Sequence, residues 1–383
     1  MKVFYEFARR QINKRDEELC GDSVVFSTRP GWATLVFSDG LGSGVKASIL
    51  STLTTRVAAR MIEEGLPLED VVRTVSETLP LCKVRKIAYS TFTMAQLFTE
   101  GRARLMEYDS PPVFVLRGGR LQAVPYDELP IDGKQVRRYD LTLEAGDWMV
   151  IVSDGVVNAG IGGRYPMGWG WEMVGRYLEN HVHADLSADG LADRLIEVVR
   201  DLYEGAPGDD VTVAVVKVRR WRLLSLFTGP PLRREDDASV VKALTSAHGK
   251  RAVCGGTAAN IVSRELGRPV EVELETGTES IPPHGRIEGI DLVTEGVLTL
   301  AGALEQIREG IPESTLRLRV DGASRLAVLL LEADEIRMLV GRAINPAHQD
   351  PDLPKELGLK VQAVRALVEE LRRRGKVVDI HYY

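Results

Sequence analysis

The sequence predicts two domains, an α+β half followed by a second α/β half, and three observations predict it. A chain of 383 residues exceeds what one hydrophobic core usually organises. Its first part runs strand, helix pair, then a meander of short β-type runs without β-α-β alternation. Its later part restarts with helices and strands in alternation, beyond a polar stretch containing prolines.

Taken in order, residues 31–39 read as a strand that ends on Asp39, and Gly40-Leu41-Gly42-Ser43-Gly44 supplies a flexible turn. A long helix is expected over 47–64, where Leu50, Leu53, Val57 and Met61 recur at helical spacing. Gly65-Leu66-Pro67 stops it, and a second helix follows over 68–79, the pair forming a layer on a sheet. The β-type runs 89–97, 102–108, 112–117 and 121–124 are separated by Thr-Glu-Gly, Asp-Ser-Pro-Pro and Gly-Gly turns. A strand over 147–153 ends in Asp154-Gly155, and an amphipathic helix over 191–203 precedes a strand over 211–218.

Arg219-Arg220-Trp221-Arg222, Gly229-Pro230-Pro231 and the acidic run to Asp237 make 219–236 the expected linker, so the domains are 1–218 and 237–383. In the second, a helix over 239–246, a strand over 251–254, a Gly255-Gly256-Thr257 turn and a helix over 258–266 give the α/β pattern. A strand-like run over 325–332 and a closing helix over 361–374, followed by 376–382, complete it.

Composition excludes several classes. Apolar residues at 44% and charged residues at 27% are ordinary globular values, and a net charge of -6 leaves no basic footprint for nucleic acid. The longest apolar stretches, around 148–152 and 326–331, fall far short of the roughly 20 residues that span a bilayer, so no membrane partner is expected. The start of the chain lacks the order of a signal peptide. Three cysteines, Cys20, Cys82 and Cys254, are an odd and widely spaced set without disulfide or zinc spacing, and fit a reducing cytoplasm.

Four acids stand at strand ends beside turns: Asp22 in Cys-Gly-Asp-Ser, Asp39 in Ser-Asp-Gly-Leu-Gly-Ser-Gly, Asp154 in Ser-Asp-Gly-Val and Asp209 in Gly-Asp-Asp-Val-Thr. Any one alone reads as turn chemistry. Two nearly identical Ser-Asp-Gly corners and a closing Asp-Asp-Val-Thr in one half make a pattern. It resembles the protein phosphatase 2C family of metal-dependent serine/threonine phosphatases, in the bacterial branch typified by the stage II sporulation protein E phosphatase, over roughly residues 1–218. That branch carries Gly-Asp, Asp-Gly-Met-Gly-x-Gly, Ser-Asp-Gly and Asp-Asp-x-Thr segments, and the loop here departs only in Leu41 for Met.

The resemblance implies an α-β-β-α sandwich and two divalent cations, manganese or magnesium. Asp39 would bridge them, with Asp22 and the Gly40 carbonyl on one and Asp154 and Asp209 on the other. It also implies a phosphoserine- or phosphothreonine-bearing protein as substrate. The chemistry agrees, because hard oxygen donors suit such ions and two of them held ~3.5–4 Å apart can activate water for in-line attack on phosphorus. Asp210 is read as support for the ligands rather than a ligand. Lys46 is read as a solvated first-turn lysine with a phosphate contact as the alternative, and His181 and His183 as surface residues.

Cys20 and Cys82 lie in no phosphate loop and read as buried thiols. Cys254-Gly255-Gly256-Thr257 has the form of an anion-accepting turn before a helix, though a plain helix start reads as well, and a small anionic ligand on the second domain is a corresponding expectation. His284 and His348 read as loop residues. A homodimer is a further expectation, and a signalling scaffold or small-molecule sensor built on a weakly active or inactive phosphatase fold is the alternative.

Overall fold

The structure, a computed structural model, describes residues 2–40, 42–78, 90–272, 285–343 and 355–383. Leu41, Cys82, His284, His348 and the ends of the predicted elements 68–79 and 89–97 lie outside them. The chain divides into two compact units, Met1–Arg220 and Trp221–Tyr383. No helix among the described residues is long and apolar enough to cross a membrane.

The first unit contains, in chain order, β1 (Val3–Ile12), β2 (Asp22–Arg29), β3 (Trp32–Gly40), α1 (Gly44–Glu63), α2 (Leu68–Thr78), β4 (Ser90–Phe98), β5 (Arg102–Tyr108) and β6 (Phe114–Arg117). There follow β7 (Arg120–Leu121), β8 (Asp127–Ile131), β9 (Lys134–Thr142), β10 (Trp148–Val152), α3 (Asp154–Val157), α4 (Trp171–His181), α5 (Ala188–Leu202) and β11 (Val211–Arg220). The strands form two antiparallel sheets, ordered β1-β11-β10-β6-β7 and β2-β3-β4-β5-β9-β8.

Strand alternation explains the layering. Along β10, Met149 and Ile151 pack with Leu35, Phe37 and Val216 between the two sheets, whereas Trp148, Val150 and Val152 face Leu191, Leu195 and Val199 of α5. Along β3, Val36 turns the other way, onto Ala58 and Ile62 of α1 and Val71 and Val75 of α2. The result is helix, sheet, sheet, helix, the α-β-β-α sandwich that the sequence resemblance implies. Phe37 is fully enclosed, and truncating it to alanine would cost about 3–5 kcal/mol.

The second unit holds β12 (Leu223–Thr228), a single 3-10 turn (Arg234–Asp236), α6 (Asp237–Ser246), β13 (Lys250–Cys254), α7 (Gly256–Leu266), β14 (Glu271–Val272), β15 (Gly285–Ile287) and β16 (Ile290–Thr294). It continues with α8 (Val297–Arg308), α9 (Glu313–Leu316), α10 (Gly322–Glu332), β17 (Glu335–Val340), α11 (Lys355–Arg373) and β18 (Val377–Tyr382). One sheet, ordered β14-β15-β16-β13-β12-β17-β18, carries α6 and α7 on one face and α8, α10 and α11 on the other. This is the α/β class read from the alternation of elements.

Two sequence expectations fail here. The stretch 219–236, read as a linker, holds the end of β11 and the whole of β12, whose Leu224, Leu226 and Phe227 are buried in the centre of the second sheet. The charged residues on either side mask that apolar run. Residues 325–332, read as strand-like, are helical within α10; a continuous apolar run does not distinguish a buried helix from a strand. Asp321 caps it, accepting from the Ser324 amide at 2.9 Å, and the strand comes afterwards as β17.

Candidate active site

Each acid is placed by strand ends of the sandwich. Antiparallel register sets Asp22, the first residue of β2, directly opposite Asp39 near the end of β3. Gly40 closes this corner, its amide donating to the Gly21 carbonyl at 3.2 Å. Glycine is required there by space: a Cβ on Gly40 would collide with the backbone of Ala47 in α1. From β4, Ser90 Oγ donates to the Asp39 carbonyl at 3.0 Å.

The second corner comes from the other sheet. Ser153 follows β10, its amide donating to the Thr212 carbonyl at 3.0 Å, and its Oγ receives the Thr212 amide at 2.8 Å. Asp154 then opens α3, and Asp209 stands two residues before β11. A Cβ on Gly155 would meet the Asp210 carbonyl, so glycine lets these segments touch. Tyr203 at the end of α5 donates its hydroxyl to the Gly155 carbonyl at 2.7 Å.

Asp210 and Gln11 tie the corners together. Asp210 accepts from the Lys14 amide at 2.9 Å and from the Gly21 amide at 2.9 Å, one residue before Asp22. Gln11 on β1 donates through Nε2 to Thr212 Oγ1 at 3.1 Å and to the Asp22 carbonyl at 3.2 Å. Asp210 therefore fastens the backbone at Lys14 and Gly21, next to Asp22. Gln11 escaped sequence reasoning, and only the pairing of β1 with β11, which sets it opposite Thr212, reveals it. Glu17 escaped as well; it accepts from Ser43 Oγ at 2.9 Å beside the glycine turn.

The acids share one electrostatic neighbourhood. Burial, and then the charges of Asp22, Asp154, Asp209 and Asp210, pushes Asp39 up to about 9. Burial likewise pushes Asp22 up to about 7, opposed by hydrogen bonds from Thr212 and Ser153 and assisted by Asp210 and Asp154. Asp154 is also raised, by desolvation first and Asp209 second, although its side chain reaches solvent and screening weakens the effect. Among the described residues, no group of three or more His, Cys, Asp or Glu side chains closes onto a single point at ligand distance. The donor set nonetheless suits a hard cation: Asp22 Oδ2 is shut from water without a hydrogen-bond partner, and the candidate donors, the carboxylates of Asp22, Asp39, Asp154 and Asp209 and the Gly40 carbonyl, are oxygens.

Other residues named from the sequence stand apart. Lys46 is exposed on the first turn of α1. His181 stacks on Tyr177 at 3.9 Å with Nδ1 2.7 Å from the Tyr177 carbonyl, and His183 is exposed. Cys20 is partly rather than fully buried; burial and then Asp22 push its thiol up to about 12, so it stays protonated at neutral pH.

With this geometry in hand, comparison with known proteins is informative. The family model for stage II sporulation protein E matches residues 30–219. Residues 30–219 are a stage II sporulation protein E domain. Asp39, Asp154 and Asp209 fall inside the match and Asp22 just before it. Stage II sporulation protein E of Bacillus subtilis (strain 168) is 26% identical over 196 residues, 47% of this chain and 22% of that protein. The protein of the same name from Priestia megaterium is 24% identical over 204 residues, 52% of this chain and 34% of that protein. The chain thus spans about a third or less of the length of these relatives. The solved phosphatase domain of the Bacillus subtilis sporulation protein, with a fragment of its regulatory domain, is 24% identical, with a TM-score of 0.49 over 57% of this chain and 64% of that one.

Proposed function

We propose that the sporulation protein E domain is a metal-dependent phosphatase that hydrolyses phosphoserine or phosphothreonine on a protein substrate. The observation that carries this reading is the register pairing of Asp22 with Asp39, which buries an unpartnered carboxylate oxygen beside a second raised acid. Such a pair is costly to keep for structure alone and suits cation binding.

Asp22, Asp39, the Gly40 carbonyl, Asp154 and Asp209 would hold two cations, manganese or magnesium. When bound, these supply a water of lowered pKa and positive charge for a phosphoryl oxygen. Asp210 and Gln11 hold the chain at Gly21 and Asp22, which fixes one ligand before substrate arrives. The first-turn amides of α1 favour negative charge beside the glycine turn, because Ser43 gives α1 no side-chain cap and turns its hydroxyl to Glu17.

The test is hydrolysis of an aryl phosphate by the full-length protein. Activity that needs added manganese or magnesium and vanishes with chelator is expected, and undiminished activity in excess chelator would exclude the mechanism. Loss of every activity with all four acids intact would favour the scaffold alternative.

A further inference from the structure

In the second unit the five parallel strands lie in the order β16-β13-β12-β17-β18. Counted along the chain this is third, second, first, fourth, fifth, so the winding direction reverses between β12 and β17. The helix after β12, α6, packs on one face of the sheet, and the helix after β17, α11, packs on the other. Such a reversal leaves a crevice beyond the carboxyl ends of the strands, the place where open α/β sheets take their ligands. Register aligns Thr294, Cys254, Thr228, Val340 and Tyr382 in one row along that edge.

Lys360 of α11 reaches this point. It is only 9% exposed, its Nζ donates to the Gly341 carbonyl at 2.7 Å, and a Cβ on Gly229 would strike it. An ammonium has three donors, and no carboxylate faces Lys360 among the described residues. A buried cation without a counter-charge is unfavourable unless something supplies one. Burial alone accordingly lowers its pKa.

Two further features lie along the same edge. One strand spacing from β12, about 4.8 Å, α7 opens at Gly256 with no side chain capping its first amides. One strand beyond, Glu295 has a carboxylate oxygen, Oε2, shut from water and without a hydrogen-bond partner.

We propose that this edge binds a small metabolite carrying an oxyanion, phosphate or carboxylate, that pairs with Lys360 and the first amides of α7, and a hydroxyl or amino donor that meets Glu295. The donor would stand about two strand spacings, roughly 10 Å, from the anion. A nucleoside monophosphate has this form.

Calorimetry on full-length protein kept in chelator, which removes metal-dependent binding at the N-terminal acids, tests the proposal with adenosine monophosphate, inorganic phosphate and succinate. At least one probe should bind, adenosine monophosphate more tightly than inorganic phosphate, while succinate separates carboxylate from phosphate preference. Lys360→Gln should weaken the bound probe at least tenfold and Lys360→Arg less, with circular dichroism showing both folded. Glu295→Gln should weaken adenosine monophosphate and leave phosphate unchanged, and it decides the matter if Lys360→Gln does not fold. No binding by any probe, equal binding of the bound probe by wild type and Lys360→Gln, or equal adenosine monophosphate binding by wild type and Glu295→Gln, would overturn the site.

Discussion

The two acidic corners of the first unit are built alike and differ in environment. At the β2-β3 corner Asp22 is buried and Asp39 half-buried, and both are raised far above ordinary carboxyl values. At the β10-β11 corner Asp209 is half-buried like Asp39, whereas Asp154 reaches solvent where Asp22 does not. The first corner concentrates like charge where water screens it less, and the second adds charge where water screens it more. The difference teaches that the fold carries its electrostatic strain at the first corner, so substitutions there should act on both catalysis and stability.

The largest expected effect is catalytic. Asp39→Asn should lower aryl phosphate hydrolysis by about 10³-fold or more, since several kcal/mol of transition-state stabilisation depend on the proposed bridging carboxylate. Asp209→Asn should lose less, and equal losses in steady-state rates would erase the distinction between corners.

The next effect is on stability without metal. Asp22 and Asp39 are held above the unfolded value near 3.9, so the stability they contribute is fully present below about pH 4 and is lost as pH rises through about 7 and then about 9. Chelator-stripped wild type should therefore melt progressively lower than Asp39→Asn between pH 5 and pH 9. Melts of Asp154→Asn should track wild type more closely over the same range, because that side chain is in water, and should lie no lower than wild type at neutral pH. A sharp drop for Asp154→Asn with activity retained would make it a turn residue.

Smaller still is the cost of the tie between the corners. Asp210→Ala leaves the Lys14 and Gly21 amides without their acceptor and should cost about 1–3 kcal/mol in denaturant unfolding. Lys46→Ala, on an exposed turn of α1, should leave aryl phosphate turnover within about threefold, and a larger fall would restore it as a phosphate contact.

Much of this was legible in the sequence, for a physical reason. Asp39-Gly40 and Asp154-Gly155 announce themselves because a turn with no room for a Cβ needs glycine next to the acid. The helix pair over α1 and α2 is readable as helices, but the face of α1 is not. Leu53 of the stripe Leu50, Leu53, Val57 and Met61 is exposed and the others are half-buried, while the small and polar Ala47, Ser51, Thr54, Thr55 and Ala58, with Ile62, form the buried face. What escaped was long-range. Nothing local in β1 marks Gln11, whose part depends on pairing with a strand two hundred residues away, and the pairing of Asp22 with Asp39 is a matter of register. β12 was hidden because flanking arginines and prolines outweigh six residues of strand in any composition window, and α10 because its apolar run carries no period.

The most direct measurement is the manganese stoichiometry of stripped full-length protein, by calorimetric titration of wild type and Asp39→Asn. Two ions per chain for wild type and loss of tight binding at both sites for Asp39→Asn are expected, since Asp39 is the proposed bridge. Unchanged stoichiometry and affinity in Asp39→Asn would contradict the account.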